Sequence, residues 1–233
     1  MIMIRLTSVE KSYSSGEKKI KVSNDVSLTV EEGEFALFVG ESGAGKSTIL
    51  NIISGLEKPD SGSVKIRGND VSRYSENELA DFRKEQVGFV FQFYNLIPNL
   101  TVKENVELAA RMKENSHDTK QILKIVGLEH RLNSFPSQLS GGEQQRVSIA
   151  RAIVKKPDIL LCDEPTGALD QQTGKDVLAL LQQLSVDNGM TVLMVTHNRG
   201  LIPMANRVFE ISDGRVQKET KNEKPIVVSS LEW

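Results

Sequence analysis

The stretch Gly40-Glu41-Ser42-Gly43-Ala44-Gly45-Lys46-Ser47-Thr48 decides how the rest of this 233-residue chain is read. It has the Gly-x-x-x-x-Gly-Lys-Ser/Thr spacing of a phosphate-binding loop, entered by the apolar run Phe35 to Val39 and left by a helix-like run from Ser47 to Ile53. A nucleoside triphosphate concentrates negative charge that water solvates well, so a protein must offer many donors at close range. Glycines let the backbone N–H groups of Gly43, Ala44 and Gly45 approach, while the following helix turns its positive end to the same phosphates. Lys46 adds a full charge near the β- and γ-phosphates, and the Ser47 hydroxyl is placed to ligate Mg²⁺.

Working outward, 39% hydrophobic and 26% charged residues are the proportions of a soluble globular protein, and the length suits one α/β domain with an inserted lobe. A net charge of −2 offers no basic footprint, which argues against a nucleic-acid partner. Cys162 is the single cysteine, lies inside the apolar run Ile159 to Cys162, and reads as a small buried hydrophobe in a reducing compartment. No segment approaches the roughly 20 apolar residues that cross a bilayer, and the start lacks a signal-peptide layout. The chain is expected to be cytoplasmic.

Before the loop, Ile4 to Val9 and Val26 to Val30 flank a polar turn at Ser14 to Lys19, a hairpin pattern in which Tyr13 is an ordinary strand aromatic by spacing alone. After it, the pattern predicts a strand over Ser63 to Ile66, a helix over Glu76 to Glu85 and a strand over Val87 to Phe91 ending at Gln92. Helical patterns at Val102 to Lys113 and Thr119 to Val126 then interrupt the β/α alternation, and a mostly helical subdomain inserted at about residues 93–155 is expected. Ser140-Gly141-Gly142-Glu143 matches a capping box opening a helix that runs to Lys155. Its two glycines leave first-turn N–H groups uncovered, so the turn is either a second anion site or a capped helix and nothing more.

Pro157 breaks the chain, and Ile159 to Cys162 then delivers Asp163 and Glu164 at the end of a buried parallel strand, where open α/β sheets bind ligands. Beside a phosphate loop, Asp163 suits Mg²⁺ and Glu164 suits the polarisation of a water. His197 repeats the arrangement at the end of Thr191 to Val195. Val208 to Ser212 and Arg215 to Lys218 read as a closing hairpin. The tail from Glu219, ending in Trp233, is expected to be poorly ordered or to bind a neighbour.

These motifs in this order resemble the nucleotide-binding subunit of an ATP-binding cassette (ABC) transporter from about Ile4 to Arg215. The residues carrying the resemblance are Gly40 to Thr48 (Walker A), Gln92 (Q-loop), Leu139 to Glu143 with Gln144-Gln145-Arg146 (signature), Ile159 to Glu164 (Walker B), Ala168-Leu169-Asp170 (D-loop) and His197 (switch histidine). Glu143 departs from the commoner glutamine but keeps a polar side chain. The resemblance implies a P-loop NTPase core with an N-terminal antiparallel β subdomain and an inserted helical subdomain. It implies two subunits paired head to tail on ATP, with nucleotide between one Walker A loop and the partner's Ser140 to Gly142. Tyr13 would stack on adenine, Glu164 would act as general base, His197 would contact the γ-phosphate, Ser47, Asp163 and Gln92 would serve Mg²⁺, and Asp170 would communicate between the sites.

Within the family, Gly88 to Asn105 together with Asp163 to Asp170 look like the branch serving macrolide efflux, lipoprotein release, bacitracin resistance and cell division. That branch implies a separate transmembrane permease subunit with few helices and a large external domain, room for a membrane-fusion or accessory protein, and a peripheral position on the cytoplasmic face of the cell membrane. Two uses follow: export of a peptide, antibiotic or other amphipathic substrate, or an ATPase switch that regulates an external cell-wall enzyme without transport.

Overall fold

The computed structural model describes residues 1–16 and 18–231. Two long strands, β1 (Ile2–Ser15) and β2 (Lys18–Glu31), pair antiparallel, as the alternating runs require. Strand β4 (Ser61–Ile66) adds to β1 and the two-residue β5 (Asn69–Asp70) to β4, giving an antiparallel sheet in the order β2-β1-β4-β5. Between them, β3 (Phe35–Val39) runs into the loop and α1 (Lys46–Ile53) leaves it.

The chain continues through α2 (Glu76–Gln86), whose start is fixed by a Ser75–Glu78 capping box, into β6 (Val87–Val90). Next come α3 (Val102–Ala110), α4 (Thr119–Ile125) and α5 (Gly141–Ile153); α3 and α4 each pack on α5. Strand β7 (Ile159–Asp163), helix α6 (Gln171–Asn188), β8 (Thr191–Thr196), β9 (Arg207–Ser212) and β10 (Arg215–Lys221) complete it. The second sheet has the order β10-β9-β3-β8-β7-β6, parallel from β9 to β6, with β10 antiparallel at its edge.

Every residue of β3 is buried, because its alternate side chains face different cores: Phe35, Leu37 and Val39 one, Ala36 and Phe38 the other. Strands β7 and β8 divide in the same way, with Cys162 and Met194 on one face and Leu161 and Val195 on the other. Each fully buried Leu, Val or Phe contributes about 1.5–3 kcal/mol, so the sheet centre carries much of the burial energy. Parallel pairing in the order β3-β8-β7 holds the C-terminal ends of these strands side by side. Cys162 is fully buried, and burial pushes its thiol far above the ordinary range.

The expected hairpin at Val208 to Lys218 forms, and β9 also joins the central sheet beside β3. One expectation is corrected. The tail from Glu219 does not hang free. It continues β10 to Lys221 and then folds along α6: Gln182 donates to the Ile226 carbonyl at 2.9 Å and accepts from Val228 N–H at 3.1 Å, and Val228 and Leu231 enter the core. Apolar burial and backbone pairing outweigh the charge read in the sequence. Trp233 lies outside the described residues.

Candidate functional site

The loop owes its shape to backbone contacts. A Cβ on Gly40 would sit 2.1 Å from the Ile211 carbonyl of β9, and one on Gly45, which opens α1 at φ 95°, would sit 2.4 Å from the Val22 carbonyl of β2. The loop is therefore wedged between both sheets, and only glycine fits. Gly45 at the cap position of α1 has no side chain with which to satisfy the first-turn N–H groups, and Lys46, Ser47 and Thr48 of that turn line the cleft. The Ala44 N–H is engaged in a turn bond to Glu41 at 3.3 Å, so in this conformation it is not free to donate as expected.

Lys46 is buried and donates to the Gly40 and Glu41 carbonyls at 2.9 and 2.7 Å. Burial lowers its ammonium pKa, opposed by the nearby charges of Glu164 and Asp163. A desolvated cation with two neutral acceptors gains by exchanging them for an anion. Ser47 Oγ donates to Asp163 Oδ1 at 3.0 Å. Burial raises the Asp163 carboxyl, the Ser47 hydrogen bond opposes this, and the Glu164 charge adds to it. A cleft of about 180 Å³ is lined by Val22, Ser42, Gly43, Gly45, Lys46, Ser47, Thr48 and Glu164. A larger one, of about 270 Å³, opens between Arg83, Phe89, Phe91 and Arg151, but the loop lysine and the strand-end carboxylates converge on the smaller.

Glu164 holds a left-handed backbone, φ 45°, which costs about 1–2 kcal/mol for a residue with a Cβ. Its N–H donates to Val195 and its carbonyl accepts from Gly167, both at 3.0 Å, so the conformation is over-determined. The side chain lies 3.3 Å from His197, Oε2 to Nδ1. Gln92 packs against Gly167, where a Cβ would fall 2.9 Å from its Nε2 and 3.4 Å from the Glu164 carbonyl. The loop, Asp163, Glu164, His197 and Gln92 are thus gathered at one end of the parallel sheet. Tyr13 stands near the end of β1 and is 39% exposed.

None of Ser140 to Glu143 lines that cleft. The capping box forms: Ser140 Oγ accepts from Glu143 N–H at 3.2 Å, and Glu143 accepts from Ser140 N–H at 2.8 Å and from Arg131 at 2.9 Å. The Ser140 N–H first, and Arg131 with it, hold the Glu143 carboxyl below its ordinary value. Asp170 caps α6 by accepting from Thr173 N–H at 3.1 Å. Three residues without a motif signal complete this end. Thr173 Cγ2 fills the space beside Gly142, the Tyr94 hydroxyl lies against Gly141, and Arg151 donates to the Tyr94 and Asn95 carbonyls. Tyr94 and Asn95 are both left-handed, which no local pattern announces.

A phosphate loop and strand-end acids on a mostly parallel sheet, joined to an antiparallel sheet and a helical block, define an ATP-binding cassette. The chain belongs to the ABC transporter family, whose model matches residues 23–167, and it is an ATPase. It is 44% identical over 221 residues to the ABC transporter ATP-binding protein YtrE of Bacillus subtilis, covering 91% of this chain and 96% of that one. It is 44% identical over 219 residues, 92% of this chain, to the macrolide export ATP-binding/permease protein MacB of Salmonella typhimurium, and spans only 34% of that protein's length. The dimeric post-hydrolysis structure of the ATP-binding cassette MJ0796, bound to ADP and Pi, matches with a TM-score of 0.86 and 42% identity over 94% of this chain and 98% of that one.

Proposed function

We propose that this cassette powers export of a peptide, antibiotic or other amphipathic substrate through a separate membrane subunit, closing head to tail on a second copy of itself when ATP binds. The observation that carries the reading is the adjacency of two contacts: Ser47 to Asp163 at 3.0 Å and Glu164 to His197 at 3.3 Å, beside the loop. One pair suits a hard cation and the other a water and a γ-phosphate.

A single hydroxyl and a single carboxylate fit Mg²⁺, which usually keeps waters and substrate phosphates in its shell. Among the described residues no group of three or more His, Cys, Asp or Glu side chains converges, so nothing here resembles a cage made wholly of protein. Ser47 and Asp163, with Gln92 reaching in, would hold the ion, which when bound neutralises charge on the β- and γ-oxygens. Lys46 would exchange its two carbonyl partners for phosphate. Glu164, fixed by its strained backbone, would take the proton of the attacking water, and His197 would contact the γ-phosphate. Tyr13 would carry the base.

Ser140 to Gly142, on the helical block of about residues 93–155 and outside the loop cleft, would meet the partner's nucleotide, with Asp170 at the same seam. The dimeric MJ0796 structure supports this pairing. MacB's description as a macrolide exporter supports the substrate class, and YtrE, spanned almost whole by this chain, supports a cassette that works apart from its membrane subunit. No helix among the described residues is long and apolar enough to cross a membrane, so attachment would be peripheral, at the cytoplasmic face, through that subunit and any accessory protein.

Glu164→Gln tests the reading. Its ATP turnover is expected to fall about a hundred- to ten-thousand-fold, the scale of a lost positioned base. With ATP and Mg²⁺ it should pass from monomer to dimer in size-exclusion chromatography with light scattering. Near-unchanged turnover removes Glu164 from that role, and a monomer in every nucleotide condition overturns ATP-driven pairing of the isolated chain.

A further inference from the structure

Glu57 carries no motif, yet it connects two parts of the site. The turn after α1 folds back on Asn51, whose carbonyl accepts from Leu56 N–H at 3.0 Å and Glu57 N–H at 3.2 Å. The returning Glu57 carboxylate then accepts on both oxygens: Asn51 Nδ2 donates to Oε1 at 3.0 Å, and the Tyr13 hydroxyl donates to Oε2. Asn51 stands one helical turn after Ser47, so it belongs to the helix that opens at the phosphate loop. Lys11 lies over the Tyr13 ring at 5.7 Å from its centroid, itself held by the Lys58 carbonyl and Asp60. Burial first, and Glu57 second, raise the Tyr13 phenol, against a hydrogen bond with Thr48 that lowers it.

A tyrosine ring on a two-stranded hairpin is free to swing about its side-chain torsions. Here one edge is tied to a carboxylate, one face is under an ammonium, and the carboxylate is tied to α1. We infer that Glu57, anchored by Asn51, is a positioning residue that sets the Tyr13 ring for the nucleotide base and fixes its distance from the phosphate loop. This rests on the reading of Tyr13 as the base platform. The remaining ring face takes the base, and the arrangement makes base and phosphate recognition one rigid unit.

Binding of Mg-ADP, which involves no turnover, tests this in the full chain, with tripolyphosphate as a probe that has phosphates and no base. Glu57→Ala and Tyr13→Phe, which keeps the ring and loses the hydroxyl, are each expected to weaken ADP about fivefold, the scale of one hydrogen bond. The double variant should be no weaker than either single, since both break the same link. Glu57→Gln keeps one acceptor oxygen where the carboxylate offers two, so it should recover part of the affinity, short of the natural protein. Tripolyphosphate affinity should be unchanged throughout, and Tyr13→Ala should lose more than Tyr13→Phe for ADP alone. If Tyr13→Ala leaves ADP binding intact, the base-platform reading fails and the inference with it. If Tyr13→Ala weakens ADP but Glu57→Ala does not, the platform stands and the role of Glu57 is lost. Equal weakening of ADP and tripolyphosphate by Glu57→Ala, or additive losses in the double variant, makes Glu57 a general support of α1 and overturns the inference.

Discussion

Replacing Gly142 by alanine puts a methyl group where the structure already has one. The added Cβ would lie 2.1 Å from Thr173 Cγ2, more than an ångström inside the 3.4 Å at which ordinary contact begins, and Thr173 is held by the Asp170 cap at the start of α6. Gly142 has no positive φ, so backbone strain plays no part and the cost is steric. Overpacking of this kind costs about 1–3 kcal/mol. Alanine recovers up to about 1 kcal/mol of helix propensity over glycine, less in a first turn. The net expectation is destabilisation by about 1–2 kcal/mol, read as a shift of the urea midpoint at constant slope.

The diagnostic is the background. Thr173→Ser removes Cγ2 and keeps the backbone N–H that Asp170 accepts, so in that background Gly142→Ala should be neutral or stabilising by a few tenths of a kcal/mol up to about 1. The cost should vanish or reverse, with a coupling of at least about 1 kcal/mol. An equal cost in both backgrounds, or no cost in the natural one, refutes the contact between the Ser140 turn and α6.

Three further outcomes are expected. Arg207, almost wholly buried, donates twice to Glu34 at 2.9 Å and also pairs with Glu31 and Glu219, so Arg207→Ala leaves a carboxylate unpaired in a tight site and should cost about 3 kcal/mol in chemical unfolding. Burial by itself raises the Glu34 carboxyl, but Arg207 outweighs it and leaves the group below its ordinary 4.5; this stability is complete above pH 4.5 and is lost as pH falls through the lower folded value, and the acid limb of a stability profile should flatten in Arg207→Ala. Asp163 has the opposite sign. Burial holds its carboxyl above the ordinary 3.8, so its ionised form costs stability at neutral pH, and Asp163→Asn should raise the thermal midpoint of the nucleotide-free protein while abolishing ATP turnover.

The phosphate loop, the acids ending β7 and the Ser140 capping box are legible in the sequence because each is a short run whose chemistry and geometry are local. Glycine spacing, a strand's apolar run and a serine three residues before a glutamate act within a turn or two of chain. The buried strands β3, β7 and β8 are legible for the same reason. What local pattern does not carry is which strand lies beside which. The parallel pairing of β9 with β3 depends on burying two sheet faces at once, and it places the Ile211 carbonyl that makes Gly40 obligatory.

The same holds for the side chains that shape the site without belonging to a motif. Thr173 against Gly142, Arg151 on the Tyr94 and Asn95 carbonyls, and Glu57 under Tyr13 join residues from about 30 to nearly 60 positions apart. The charge of the tail is local and points to disorder, whereas the contacts that seat Val228 and Leu231 in the core beside α6 are long-range. By itself the sequence determined which short runs carry chemistry: the glycine-rich loop with its lysine and serine, the acids that end a strand, and the residues at which the helices begin. Tertiary structure alone decided how those groups are held, because packing and long-range hydrogen bonds form only once distant elements meet, and their energy is absent from any short stretch of the chain.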